Sequence, residues 1–360
     1  MAEFQNDDAA LMRGVERVME DRRKSGLEGL VGGLECVIIN VAPDALTAAA
    51  NELLRYTGLE LRTSMQGPDR RMIVLGLEGG ADFLVTCRTG GDNPFALFNR
   101  GAKTENLLDP RLETYVFKCN DIDRYVDIQK KRGVRFLTGE PVRGVHFDYI
   151  QTAPSRFTGN SIGLIRWKKR EGDYLFPGFD QVDMCLEKPA LSHLRNIKEL
   201  DHVATRVRAE ERDAAILEFM ELTNYRFDFA VYVESLNSIT NVARLSKDDY
   251  AQVFTSGISP FTTFEKSGPT ERFIYNYGVR AHHMAFITEN IDETVAALTA
   301  DGMGFLSDLV GSEEEGLKQI FSKPSPTTLL VNEYILRYGD FDGFFTKSNV
   351  TLLTKATDKQ

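Results

Sequence analysis

The sequence resembles itself four times over, and this constrains the fold more than any single motif in it. The run Glu113-Thr-Tyr-Val-Phe-Lys-Cys-Asn-Asp-Ile-Asp-Arg-Tyr-Val, continuing to Gly133-Val-Arg-Phe-Leu, aligns without a gap with His282-His-Met-Ala-Phe-Ile-Thr-Glu-Asn-Ile-Asp-Glu-Thr-Val, continuing to Gly302-Met-Gly-Phe-Leu. Each opens with a short strand, turns at Asn-Asp or Glu-Asn, carries apolar residues at helical spacing and ends on Gly before a second strand. A second pair matches Leu34-Glu-Cys-Val-Ile-Ile-Asn-Val, with its Ala-rich helix from Pro43 to Tyr56, to Leu200-Asp-His-Val-Ala-Thr-Arg-Val and a helix from Glu210 to Thr223. Strand-like runs follow the helices, such as Arg71 to Leu77, Phe83 to Thr86, Ser238 to Leu245 and Tyr250 to Thr255. The pattern predicts an α+β chain of four βαβββ modules, two per domain.

The periodicity pauses between Gly178 and Leu200, around Pro189. That divides the chain into a structural domain over about 30–178 and a catalytic domain over about 199–360. Residues 1–29 read as an amphipathic helix that packs on a domain or extends a dimer contact. At 360 residues and 42% hydrophobic, the chain is long enough for two cores. Its net charge of −10 repels phosphate backbones, so nucleic acid is not an expected partner. No window reaches the roughly 20 apolar residues needed to cross a bilayer, and the acidic, mixed-charge start lacks a secretory apolar stretch. A cytoplasmic protein without membrane contact is the expectation. The four cysteines are scattered without a Cys-x-x-Cys pair, which suggests neither a zinc knuckle nor a disulfide framework.

Equivalent positions of the modules differ in their chemistry. His202 stands where the first half has Cys36, and His283 stands where it has Thr114. In Thr328-Leu-Leu-Val-Asn-Glu-Tyr-Ile-Leu-Arg, Glu333 interrupts an apolar strand, whereas Asn160-Ser-Ile-Gly-Leu-Ile-Arg-Trp carries no carboxylate. A carboxylate inside a strand core is costly unless paired or metal-bound. Two imidazoles and one carboxylate from three strands make a facial triad, three ligands on one side of an octahedral metal, with iron(II) the natural occupant. Alternation places Ala204 beside His202 and Ala285 beside His283, and turns His282 away from His283. A lone strand histidine is more often a hydrogen-bonded core residue; two at repeat-equivalent ends, with a buried glutamate, favour a metal. His146 and His193 fall in loop-like segments and read as solvated. Gly159-Asn-Ser-Ile-Gly163 matches a hydrolase nucleophile elbow, but a strand rather than a helix follows it.

At these residues the chain resembles the 4-hydroxyphenylpyruvate dioxygenase and hydroxymandelate synthase family of the vicinal-oxygen-chelate superfamily, from about residue 34 to the end. Leu200-Asp-His-Val resembles the family's first ligand strand, and Gly278-Val-Arg-Ala-His-His-Met-Ala-Phe its second. Gln319-Ile-Phe-Ser-Lys-Pro324 is close to the family's Gln-Ile-Phe-Thr-Lys-Pro, which leads into the glutamate strand. Leu236-Asn-Ser238, Leu175-Phe-Pro-Gly-Phe179 and Phe345-Thr-Lys-Ser-Asn349 resemble further family segments. The resemblance implies two open β-barrels with helices outside, and Fe(II) held by His202, His283 and Glu333. It implies oxidative decarboxylation of a 2-oxo acid, expected to be aromatic, by O2, with hydroxylation of the same molecule. Gln319 and Ser238 would hydrogen-bond the substrate, Phe321 would pack beside its ring, and a lid from Phe344 to Lys355 would exclude water. Family habit adds a homo-oligomer, dimer or tetramer.

The sequence also departs from the family. Thr255-Ser-Gly-Ile-Ser-Pro-Phe261 replaces Ile-Asn-Glu-Pro, His282 replaces a glutamine, and Val350 and Thr354 stand at lid positions that are often aromatic. A pocket shaped for a phenol would keep its polar partners, since an unpaired buried one costs about 1–3 kcal/mol. Two other readings use the same modules: an extradiol ring-cleavage dioxygenase taking a catechol, and a metal- or ligand-binding protein without catalysis.

Overall fold

The computed structural model describes residues 4–360. Helix α1 (Asp8–Ser25) starts where the Asp7 carboxylate accepts from the N–H groups of Ala9 and Ala10, and stops at Gly26 in the left-handed region. Leu11, Val15 and Val18, at helical spacing, are buried. Near its end, the Arg22 guanidinium donates to the carbonyls of Met220, Thr223 and Tyr225, fixing the helix to the far half of the chain.

Each of the four modules has the anticipated order. The first is β1 (Val31–Asn40), α2 (Leu46–Tyr56), β2 (Glu60–Gln66), β3 (Arg70–Gly76) and β4 (Asp82–Arg88). The second is β5 (Arg111–Cys119), α3 (Ile122–Lys131), β6 (Val142–Arg143), β7 (Phe147–Gln151) and β8 (Ser161–Trp167). After the short strand β9 (Asp180–Gln181) comes the third: β10 (Ile197–Arg206), α4 (Arg212–Leu222), β11 (Arg226–Val233), β12 (Ser238–Arg244) and β13 (Ala251–Ser256). Helix α5 (Pro269–Tyr277) then leads to the fourth: β14 (Arg280–Thr288), α6 (Ile291–Ala300), β15 (Val310–Ser312), β16 (Leu317–Phe321) and β17 (Val331–Arg337). Helix α7 (Lys347–Ala356) follows.

Among the described residues the strands form two sheets, in the orders β6-β7-β8-β5-β1-β4-β3-β2-β9 and β11-β12-β13-β10-β14-β17-β16-β15. Apart from β9, one order repeats the other. In each, two antiparallel central strands are flanked by parallel neighbours: β1 and β5 by β4 and β8, β10 and β14 by β13 and β17. Curling of these mixed sheets leaves the helices outside and makes two half-barrels, an α+β arrangement. The segment between β9 and β10 coincides with the pause in the sequence pattern.

One apolar cluster joins the backs of both sheets, from Val37, Phe83 and Phe117 in the first half to Phe219, Met284 and Phe286 in the second. The Phe83 and Phe286 rings stack at 5.9 Å, and Phe117 meets Tyr225 edge-on at 5.2 Å. Polar contacts cross with them: Tyr115 Oη lies 2.9 Å from Thr205 Oγ1, and Tyr125 Oη donates to the Leu222 carbonyl at 2.7 Å. No helix among the described residues is long and apolar enough to cross a membrane.

Candidate metal centre

Three neighbouring strands bring His202, His283 and Glu333 together. In register, His202 on β10 lies beside Ala285 on β14, which lies beside Glu333 on β17. His283 precedes Ala285 by two residues and so shares its face. All three side chains are buried. Glu333 Oε2 is 3.3 Å from His202 Nε2 and 3.2 Å from His283 Nε2, and each residue offers a ligand atom within 4.8 Å of the others. Donors on one octahedral face, with bonds of about 2.1 Å, stand about 3 Å apart. The observed spacing fits such a face, and among the described residues this is the one cluster of its kind.

The nitrogens that face away from Glu333 are tied down. His202 Nδ1 bonds to Asp201 Oδ2 at 2.6 Å, and Arg337 grips the same carboxylate with two N–H groups at 2.6 and 2.9 Å. Arg206 Nη2 reaches His282 Nδ1 at 3.4 Å; arginine has no acceptor, so that nitrogen carries a lone pair. His283 Nδ1, 2.8 Å from the same atom, is then the donor, which leaves its Nε2 bare towards Glu333. This is the outer-shell arrangement that sets tautomers at metal sites.

The charges agree. Burial pulls the His202 imidazolium down, but Glu333 and Asp201 outweigh it and hold the group up at about 9, so this end of the cluster attracts a cation. Burial, together with His282, His202 and Arg206, drives His283 well below its usual value and keeps it neutral. His282 is likewise held neutral by burial and by Arg206. Despite burial, hydrogen bonds from His202 and Arg337 keep Asp201 ionised far below the usual carboxylate range.

A cavity of about 40 Å3 opens onto the cluster. Arg206, Thr240, Val253 and Thr255 form one wall, Gln319 and Phe321 another, and Phe344, Phe345, Val350, Leu353 and Thr354 the roof. Gln319 links roof to floor: its Nε2 donates at 2.6 Å to both Glu333 Oε1 and the Phe344 carbonyl, while Asn349 Nδ2 donates to its Oε1 at 3.1 Å. The Phe321 ring lies 4.7 Å from that of His283.

No family model matches the sequence, and no curated protein matches it either. Solved structures do. A triple mutant of 4-hydroxymandelate synthase from Streptomyces coelicolor superposes with TM-score 0.68 at 18% identity, over 92% of this chain and 99% of that one. The fold is that of the vicinal-oxygen-chelate proteins. A xylose isomerase-like TIM barrel/4-hydroxyphenylpyruvate dioxygenase fusion protein matches at TM-score 0.63 and 14% identity, over 97% of this chain and 57% of that one. The Mn(II)-bound glyoxalase from Novosphingobium aromaticivorans matches at TM-score 0.50 and 11% identity, over 88% and 86%.

At the row equivalent to the candidate ligands the first half-barrel carries different residues. Its equivalent row is Cys36, Val116 and Gly163. A Cβ on Gly163 would meet Val116 Cγ2 at 2.9 Å and the Tyr149 hydroxyl at 3.1 Å, so no glutamate fits there. Thr114 is already bonded by Gln151 Nε2 at 2.6 Å.

Some site expectations change. His282 does not turn away from His283, because β14 has a bulge there: Ala204 pairs with His283 and Thr205 with Ala281, so His282 is an extra residue. Bulges break strict alternation, and the two rings lie 5.0 Å apart. The same bulge sits at Glu113 in β5. Ser238 is on β12 two residues before Thr240, but its Oγ lies 3.4 Å from Thr270 Oγ1 and it does not line the cavity. His146 and His193 are half-buried rather than solvated, and His146 Nε2 is 3.4 Å from Asp173. Ser161, in the elbow-like motif, is buried at the start of β8. Sequence reasoning passed over Arg206. Its signal was available, since Arg206 follows His202 by four residues on an apolar strand and shares its face.

Proposed function

We propose that this chain is an iron(II)-dependent oxygenase of the 4-hydroxyphenylpyruvate dioxygenase type, using O2 to decarboxylate a 2-oxo acid and hydroxylate the remainder of the molecule. One observation carries the reading: the Nε2 atoms of two histidines and one buried carboxylate converge on a roofed, largely apolar cavity. The named neighbours, a hydroxymandelate synthase and a hydroxyphenylpyruvate dioxygenase fusion, lend the chemistry by likeness of fold. Iron(II) on such a triad would supply open positions for a chelating substrate and for O2. The chain's own residues do the rest. Asp201 and Arg337 orient His202, and His282 orients His283. Phe321, Phe344 and Leu353 offer apolar contact to the substrate body, and the α7 roof keeps bulk water out. Gln319, bonded to both Glu333 and the lid backbone, relates lid position to ligand position.

The extradiol reading needs a second acid–base group facing a catechol. His282 is near the candidate ligands but does not line the cavity, and Arg206, which does, is a permanent cation that cannot take up a proton from a catechol.

The test is oxygen uptake by anaerobically iron-loaded protein against aryl and alkyl 2-oxo acids and catechols, with carbon dioxide followed in parallel. Uptake matched by carbon dioxide from a 2-oxo acid is expected. Uptake with a catechol and no carbon dioxide would move the chain to the extradiol class, and silence despite bound iron would favour a binding role.

A further inference from the structure

Arg206 is buried in the cavity wall, and among the described residues no carboxylate meets it. Its Nη atoms reach only Thr270 Oγ1 at 3.2 Å, Thr357 Oγ1 at 3.2 Å and His282 Nδ1 at 3.4 Å, and its Nε has no partner among the described residues. Other buried arginines are better served. Arg22 and Arg212 have Glu28, Asp8 and Asp213. Arg111 and Arg280 have backbone carbonyls, among them those of Thr158, Val279 and Pro110. A guanidinium removed from water with only neutral hydroxyls and an imidazole is costly, and an anion supplied from outside would relieve it.

The register shows where that anion would sit. Arg206 pairs with Thr255 on β13, and Thr255 pairs with Thr240 on β12. All three line the cavity. They form a row of one fixed cation and two hydroxyls across three adjacent strands, four residues along β10 from His202. One end of the cavity holds the carboxylate and imidazoles suited to a metal. The other holds only donors suited to an anion.

We infer that Arg206, flanked by Thr240 and Thr255, binds a second anionic group on the substrate, which is therefore a 2-oxo acid carrying a negative charge at the end remote from the metal. This rests on the 2-oxo acid reading above. It also accounts for the altered Thr255-Ser-Gly-Ile segment, whose first residue is part of the row. Arg206 binds and orients; it takes no part in bond making.

The experiment is calorimetric binding to cobalt(II)-loaded protein, which reads affinity without turnover. Two dianionic probes, 2-oxoadipate and 4-carboxyphenylpyruvate, are set against 2-oxohexanoate and phenylpyruvate, which carry the same 2-oxo acid end without the second charge. Wild-type protein is expected to prefer one dianionic probe over its partner by about 10- to 100-fold, as for a charged hydrogen bond. Arg206→Met should erase that preference, read as the ratio of affinities within each probe pair, and Arg206→Lys should retain part of it. No preference in the wild type, or one that survives Arg206→Met, overturns the inference; the wild-type comparison decides even if the Met variant does not fold. If none of the four binds, the 2-oxo acid reading fails by itself. Adipate binding to wild type but not to Arg206→Met would then sustain the anion site, and its absence would overturn that too.

Discussion

Each ligand of the candidate centre has a neighbour that fixes it, and the two kinds of residue differ in what their loss should do. Replacing His202, His283 or Glu333 with Ala removes a donor from a set of three, so stoichiometric binding of iron(II) is expected to vanish in each variant. Equilibrium dialysis against iron(II) checks this, and retained one-to-one binding in all three would refute the assignment. Asp201→Asn keeps every ligand but replaces the acceptor that holds His202 Nδ1. Metal affinity should fall by about 10- to 100-fold, the usual cost of losing such a partner, measured by competition with a chromophoric chelator. An unchanged affinity would mean that Asp201 serves only Arg337. The triad was legible in the sequence because repeat-equivalent positions exposed an asymmetry: His202 against Cys36, His283 against Thr114. The orientation of His282 was not, since it depends on one bulge that alternation cannot foresee.

Among the elements, α7 and α5 matter most to the site. The roof helix α7 is fastened to the floor by the Asn349 bond to Gln319, one buried hydrogen bond worth about 1 kcal/mol. Asn349→Ala should therefore raise the population of the open lid roughly fivefold. Faster hydrogen exchange confined to α7 would report it, and unchanged protection there would show that apolar contacts alone hold the lid. Helix α5 is held by Glu271, whose Oε1 accepts from the N–H groups of Ala209 and Gly257, each at 3.0 Å. Burial raises this carboxyl to about 7, against the pull of those two bonds. The folded state thus holds the proton more tightly than the unfolded chain does. The stability this contributes is complete below the ordinary value near 4.5 and is lost as pH rises through 7, at up to about 1.4 kcal/mol per pH unit. Glu271→Gln keeps the accepting oxygen and cannot titrate, so urea midpoints between pH 5 and pH 8 should decline less in the variant than in wild type. Equal declines would place the pH dependence elsewhere.

At the scale of the whole molecule, the two half-barrels share a core rather than merely touching. The cluster that runs from Phe83 to Phe286 and from Phe117 to Phe219 and Tyr225 leaves neither sheet a complete apolar back of its own. Helix α1 adds a clasp, with Arg22 bonded to carbonyls nearly two hundred residues away. Unfolding is therefore expected as one cooperative calorimetric transition, with van't Hoff and calorimetric enthalpies in agreement. Two resolved transitions would establish that the halves are energetically independent. In the same spirit, Cys36→Ala and Thr114→Ala should leave turnover nearly unchanged, because the first half-barrel is closed at the equivalent row by Tyr149 and Val116 around Gly163.

By itself the sequence determined the four modules and their order, and it singled out three residues that the fold brings together. Strand and helix periods are local, and a repeated chain carries its own comparison. Only the tertiary structure decided which faces meet. The β14 bulge, the Asp201–Arg337 pair, the displacement of Ser238 from the cavity wall and the row from Arg206 to Thr240 all arise from pairing between strands distant in the chain. Register is set by the packing of whole sheets, and a one-residue shift moves a side chain from one face to the other.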